Sequence, residues 1–169
     1  MKAKLIIEGK EIEIEISEEE YKKLQPSEEK KTGYERVPKN GHYFYEFGKG
    51  DVESDVEDCY DIDNEYYESA NYYSDKIVAE NNARADKLMR QLRRFSVEHR
   101  ECGVDFNNAN TQKHCIYYDY ENDKLGGGLA LCSKFFGTIY FDSEETAQAA
   151  IDEFCDELIW YFAEYKDSL

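Results

Sequence analysis

The chain has 169 residues, and 38 acidic against 21 basic side chains give it a formal net charge of −17 at pH 7. This length suits one ordinary domain, and an aromatic content of 15% is too high for a disordered chain. Neutralising phosphates requires clustered cations and this chain is a polyanion as a whole, so the composition argues against an ordinary nucleic-acid-binding protein and against binding to an anionic membrane. No apolar run reaches the roughly 20 residues of a membrane span.

The cysteines and the N-terminal sequence predict a cytoplasmic protein. The apolar run of the N-terminus ends at Glu8, too early for a signal peptide. The cysteine count is odd and contains no Cys-x-x-Cys pair, so we interpret these residues as reduced thiols without a metal or redox role. The five are Cys59, Cys102, Cys115, Cys132 and Cys155.

Residues 1–24 are predicted to form a small N-terminal ββα unit. Isoleucines alternate with glutamates over residues 11–16, which is the period of a half-buried strand. Ser17 followed by Glu20 is a capping-box sequence, which predicts a helix from Glu18 to about Leu24. A turn at Gly9-Lys10 predicts three cross-strand pairs: Ile7–Ile12, Leu5–Ile14 and Lys4–Glu15. Residues 25–33 are interpreted as a linker because they contain Pro26, a charge run and Gly33.

Residues 34–169 are predicted to form an acidic α+β domain, in which two long helices pack on an antiparallel sheet. Both halves follow the order hairpin, aromatic strand, Ser/Asp cap and helix, which indicates a duplicated β-β-β-α unit. The predicted elements of the first half are strands at His42–Phe47 and Val52–Val56, an aromatic stretch at Tyr66–Tyr73, and a helix from Asp75 to about His99. Those of the second half are strands at Cys115–Tyr120, Leu125–Leu131 and Thr138–Phe141, and a helix from Ser143 to about Glu164.

The two long helices are predicted to differ in their outer faces. Helical spacing assigns these residues of the C-terminal helix to the core: Ala147, Ile151, Phe154, Leu158, Tyr161 and Tyr165. The earlier helix is predicted to pack through Ala85, Leu88, Leu92 and Phe95. Its outer face is basic, with Lys76, Arg84, Lys87, Arg90, Arg93, Arg94 and Arg100. We expect these cations to neutralise part of the acidic surface internally, because uncompensated like charges repel one another.

The sequence contains no constellation typical of an enzyme. His42, His99 and His114 are not spaced for metal binding and have no nucleophile partner in a known motif. Gly126-Gly127-Gly128 lacks the Lys-Ser/Thr and the helix start of a phosphate loop. We therefore expect no enzyme activity, no cofactor and no metal.

The acidic tract of residues 51–67 is the sharpest feature of the sequence. Its eight carboxylates occur without one Lys or Arg, and they are Asp51, Glu53, Asp55, Glu57, Asp58, Asp61, Asp63 and Glu65. Tyr60, Tyr66 and Tyr67 interrupt or follow them. Three interpretations compete. The tract could be a calcium-binding loop, but Tyr66 occupies the position where such a loop requires glycine. It could be a solvated loop that only aids solubility, or a surface that docks on a basic protein groove with its tyrosines as anchors. Carboxylates repeated every ~6.6 Å along a strand come close to the spacing of phosphates.

Several segments of the sequence resemble a family of small phage and mobile-element proteins of Firmicutes. They are residues 33–37, the Tyr-Tyr-Ser-Asp sequence at 72–75, residues 117–125 and residues 137–147. The N-terminal hairpin sequence, residues 2–9, is similar to proteins of the same setting. Some small acidic proteins from that setting are anti-CRISPR inhibitors, and the resemblance supplies no catalytic residues.

The leading hypothesis is therefore an anti-CRISPR protein in the cytoplasm of a bacterial host. Its acidic tract would bind the cationic channel or PAM-reading surface of a Cas9-type effector, with or without guide RNA, and it would not bind nucleic acid itself. One alternative is a structural or regulatory phage protein whose charge only confers solubility. Another is a protein that sequesters nucleotide signals, in which case Arg90, Arg93 and Arg94 should line a pocket. The oligomeric state is left open.

Overall fold

A computed structural model describes residues 2–7, 10–15, 17, 31–108, 111–130 and 133–169. The chain divides into two units between Lys31 and Thr32, inside the predicted linker. The strands are β1 (Lys2–Ile7), β2 (Lys10–Glu15), β3 (His42–Phe47), β4 (Asp51–Val56), β5 (His114–Asp119) and β6 (Lys124–Leu129). The helices are α1 (Asp61–Glu68), α2 (Lys76–His99), α3 (Glu144–Glu153) and α4 (Cys155–Ala163). Among the residues that the structure describes, no helix is both long enough and apolar enough to cross a membrane.

The N-terminal unit contains the predicted hairpin, but in a different register. Strands β1 and β2 are antiparallel, and Leu5 lies opposite Ile12, with Ile7 opposite Lys10. The predicted pairing of Ile7 with Ile12 was therefore wrong by two residues. The observed register leaves a two-residue connection, the commonest length in hairpins, whereas the predicted one needs four residues. The helix predicted at Glu18–Leu24 lies outside the described residues.

In the larger unit, the first half builds a hairpin on a helix. Strands β3 and β4 pair with Phe47 opposite Asp51, which confirms the predicted hairpin. One face of this hairpin packs on α2, where Phe44 and Val52 contact a small buried cluster of Tyr73, Val78 and Ala79. The side chain of Asp75 caps α2 by accepting hydrogen bonds from the backbone N–H groups of Ile77 and Val78.

The second half repeats this arrangement with β5, β6 and α3. The Ser143 side chain caps α3, as the sequence predicted. The main core lies between α2, α3, α4 and the second hairpin, and its buried members are Leu88, Leu92, Phe95, Phe141, Ala147, Ala150, Ile151 and Leu158. Phe154, Tyr161 and Phe162 pack against it while half-buried. The apolar stripes predicted for both long helices are therefore confirmed as core, apart from Tyr165, which is half-buried and packs against Trp160 and Tyr161.

The α+β class is confirmed, but the prediction of one antiparallel sheet was wrong. The six strands form three separate two-stranded sheets. The third strand expected in each half is reduced to one bridge, Phe44 with Tyr73 and His114 with Phe141. Both bridges end two residues before the helix cap, at Asp75 and Ser143. The chain must turn into its helix there, so no longer ladder can form.

Two further boundaries differ from the sequence prediction. Residues 66–68 of the predicted aromatic strand belong to helix α1. The single helix predicted after Ser143 is interrupted at Phe154, whose φ of −109° and ψ of 21° depart from helical values. The Phe154 ring packs edge-to-face on Phe95, with centroids 5.8 Å apart. This break allows α3 and α4 to contact the core separately, through Ile151 and Leu158 respectively.

Candidate functional site

The acidic tract is ordered as strand β4, a short connection and helix α1. Helix α1 packs on the β3 half of the hairpin face opposite to α2, where the Tyr66 ring contacts the rings of Tyr43 and Tyr45. Tyr45 stacks on Tyr66 with centroids 4.3 Å apart, and Tyr43 stacks on Tyr72 at 4.1 Å. Burial and a hydrogen bond to Glu53 raise the pKa of Tyr45 to about 12. The first half is therefore a hairpin between two helices.

Glu57 is a structural carboxylate inside this layer. Only 1% of the residue is exposed, and its two oxygens accept hydrogen bonds from the Arg36 guanidinium at 2.8 and 2.9 Å. The Tyr72 hydroxyl and the Cys59 backbone N–H also donate to it. Burial alone would raise the pKa of Glu57, but the hydrogen bonds from Arg36 have the larger effect and lower it to about 2. Glu57 therefore ties the segment before β3 to the chain after β4.

Asp63 is the second buried carboxylate, at 2% exposure. One oxygen accepts the Tyr43 hydroxyl at 2.9 Å, and the other accepts the backbone N–H groups of Asp58 and Tyr60. Asp63 thus satisfies backbone donors at the start of α1, where a negative charge is also favoured by the helix dipole. Glu57 and Asp63 were predicted to lie on the docking surface, but both are buried, so neither can reach a partner without opening the fold.

The other six carboxylates of the tract are exposed, and none forms an ion pair with a cation of the described residues. Three of them, Asp51, Glu53 and Asp55, project from one face of β4, with a spacing of about 6.6 Å along the strand. Asp61 and Glu65 lie one turn apart on α1, and Asp58 precedes them. We call these six residues the acidic surface: Asp51, Glu53, Asp55, Asp58, Asp61 and Glu65.

The tyrosines predicted as anchors differ in accessibility. Tyr60 is 67% exposed and Tyr67 is 42% exposed, whereas Tyr66 is half-buried in the stack with Tyr45. The Arg36 guanidinium lies over the Tyr67 ring, 5.4 Å from its centroid. Ile62, which is 45% exposed on α1, was missed by the sequence analysis. The sequence carried no clear signal for it, because Tyr60 is not a favoured N-cap residue and does not mark the start of α1.

The basic face of α2 is neutralised only in part. Arg84 pairs with Glu157 of α4 and Arg90 pairs with Glu46 of β3, which provides part of the internal neutralisation expected for this helix. Lys76 and Arg94 pair with glutamates of their own helix. Lys87 and Arg93 form no ion pair within the described part of the chain.

No group of three or more metal-ligating side chains that could hold an ion occurs among the described residues. Asp61, Asp63 and Glu65 lie on a helix instead of a loop, and Asp63 is occupied by three hydrogen bonds. Cys59, Cys102, Cys115 and Cys155 are free thiols. The acidic surface therefore offers charge and hydrogen-bond acceptors, which is chemistry for binding cations of a partner.

Comparison with protein-family models, with curated proteins and with solved structures finds no match to this chain.

Proposed function

We propose that this chain is an inhibitor that docks its acidic surface on the nucleic-acid-binding surface of a basic host protein. The observation that carries the proposal is the contrast within one tract. Two carboxylates are buried and fully hydrogen-bonded, while six are exposed and without an ion pair in the described residues. The buried pair holds the strand and helix in place, so the backbone positions that carry the exposed carboxylates are fixed relative to one another.

Rigidity is important because a fixed array loses little conformational entropy on binding. The stack of Tyr45 on Tyr66 joins α1 to the hairpin, and the stack of Tyr43 on Tyr72 joins the chain after α1 to it. The carboxylates form two rows, one on β4 and one on α1. Each carboxylate is accessible to an arginine of a partner, which can donate two parallel hydrogen bonds to it. Exposed Tyr60 and Ile62 add apolar area between the charges.

The partner class that fits best is a Cas9-type effector in the cytoplasm of a bacterial host. Such effectors hold nucleic acid through Arg and Lys and read the PAM with a pair of arginines. Carboxylates could satisfy these cations in competition with DNA and without melting a duplex. The sequence resemblance to mobile-element proteins supports the same setting. In this proposal the protein is an anti-CRISPR and acts without catalysis.

The test is binding to a Cas9-type effector, with and without guide RNA, together with inhibition of DNA cleavage. An acidic-surface variant carries Asp51→Asn, Glu53→Gln and Asp55→Asn. A control variant of equal charge carries Glu121→Gln, Asp152→Asn and Glu153→Gln, all exposed residues elsewhere. We expect the first variant to bind about tenfold more weakly or worse, with a reduced dependence on salt, and the control to behave like the parent.

Tyr60→Ala provides an independent test of the anchor. Removing an exposed apolar ring should speed dissociation more than it slows association, because steering by charge is unchanged. Equal inhibition by the parent and the acidic-surface variant at both low and high salt would overturn the proposed docking surface. Absence of binding to any Cas9-type effector would overturn the proposed partner.

A further inference from the structure

We propose that a second surface, a basic groove between the β3–β4 turn and α2, binds the phosphate groups of a nucleotide or of a nucleic-acid strand. The groove has a volume of about 260 Å³ and is lined by Gly48, Lys49, Lys87, Arg90, Gln91 and Arg94. In a protein with a net charge of −17, such a concentration of cations is a local exception.

The glycine-rich turn forms one wall of the groove. Gly48 and Gly50 have φ values of 62° and 87°, which glycine adopts without strain. A Cβ on Gly50 would lie 3.2 Å from the Lys87 Cδ and 3.6 Å from the Ala83 carbonyl oxygen, so the turn sits directly on α2. Lys49 is therefore held beside the helix between two glycines.

The opposite wall is one side of α2. Lys87, Arg90 and Arg94 follow one another at intervals of three and four residues, which places them on neighbouring helical turns. From Lys87 to Arg94 the helix rises about 10 Å, enough for several phosphates. Arg90 is engaged by Glu46 at 2.6 Å, while Arg94 reaches Glu98 only at 3.9 Å, and both members of that second pair are exposed.

Lys49 and Lys87 form no ion pair within the described residues, so the groove keeps excess positive charge after its internal pairs are formed. A second groove of about 380 Å³ shares Lys87 and Gln91 and continues past Arg84 and Glu157. The lining of the first groove contains no aromatic ring. Because base stacking on aromatic rings drives recognition of single strands, we expect contacts to phosphate without preference for a base.

The test measures the binding of three ligands, by calorimetry or with a label: inorganic tripolyphosphate, a nucleoside triphosphate and a short single-stranded RNA. The groove variant is Lys87→Gln with Arg94→Gln. The control is Arg93→Gln with Arg100→Gln, two exposed cations of the same region that do not line the groove. Both variants lose the same charge, so repulsion by the rest of the protein is equal in the two.

We expect the parent and the control to bind, and the groove variant to bind about tenfold more weakly or worse, since charge-assisted hydrogen bonds to phosphate are lost. Binding of the small anions alone would identify free phosphates as the ligand, and binding of RNA alone would identify a strand. Absence of binding by the parent to all three probes, or equal loss in both variants, would overturn the groove. The acidic-surface variant should bind these probes at least as well as the parent, which keeps this outcome separate from that of effector binding.

Discussion

Tyr43 and Tyr72 stack with their ring centroids 4.1 Å apart, and their hydroxyl groups donate to two different buried carboxylates. Tyr43 bonds Asp63 at 2.9 Å, and Tyr72 bonds Glu57 at 2.9 Å. Burial, reinforced by these carboxylates, raises the pKa of both phenols. One stacked pair thus anchors the two interior members of the acidic tract and leaves the other six at the surface.

Glu57→Gln should destabilise the protein by about 2 kcal/mol, because the Arg36 guanidinium loses a charged partner that accepts two of its hydrogen bonds. Urea unfolding at neutral pH measures the difference. Glu53→Gln, an exposed carboxylate on the neighbouring strand, is the control and should change the free energy of unfolding by less than about 0.5 kcal/mol. Equal effects of the two substitutions would contradict the structural role of Glu57.

The contribution of Glu57 should depend on pH. Its pKa is about 2 in the folded protein, below its ordinary value of 4.5. A lowered folded pKa means that the stabilisation is complete above the unfolded pKa and is lost as the pH falls through the folded one. The stability difference between the parent and Glu57→Gln should therefore be constant near neutral pH and shrink from about pH 4.5 toward pH 2. A difference that stays constant through this range would contradict the assignment.

Gly33→Ala should cost much more stability than Gly48→Ala. Both glycines have positive φ values, 93° and 62°, so both substitutions carry backbone strain. At Gly33 the added Cβ would also lie 2.7 Å from the Val78 Cγ2, whereas at Gly48 it meets open space. We expect the free energy of unfolding to fall by about 1 kcal/mol for Gly48→Ala and by about 2–4 kcal/mol for Gly33→Ala, measured by thermal or urea unfolding. Similar losses at the two positions would show that Gly33 does not pack on α2 as described.

Removal of either helix cap should destabilise the larger unit. Asp75 accepts two backbone N–H groups, at 2.8 and 3.0 Å, and Ser143 accepts one at 3.1 Å. Asp75→Ala should cost about 1–2 kcal/mol and Ser143→Ala about 1 kcal/mol. Ser168→Ala, at the exposed C-terminal end, is the control and should leave the unfolding midpoint unchanged.

Neutralising the acidic surface should preserve the fold and raise its thermal stability. Asp51→Asn, Glu53→Gln and Asp55→Asn remove neighbouring like charges that have no ion pair in the described residues. The gain in Tm should be largest at low ionic strength and should shrink as salt is added, because screening already weakens the repulsion. A lower Tm at all salt concentrations would show that these carboxylates stabilise the fold.

Local signals in the sequence determined most of the secondary structure. The hairpins at β3–β4 and β5–β6, the caps at Asp75 and Ser143, and the apolar stripes of the long helices all depend on residues close in the chain. Such signals act through backbone hydrogen bonds and side-chain periodicity, which the order of residues fixes directly. The same signals could not show that the hairpins remain separate, since sheet pairing is a long-range contact.

The identity of the buried carboxylates was decided by tertiary structure alone. Both carboxylates accept nearby backbone N–H groups, but their side-chain partners Arg36 and Tyr43 lie 21 and 20 residues away in the chain, so the local sequence does not separate them from the other six acids. The basic groove has the same origin: Lys49 and Lys87 meet only because the hairpin turn packs on α2. A carboxylate enters the interior only when distant donors satisfy its charge, and that condition depends on the folded arrangement.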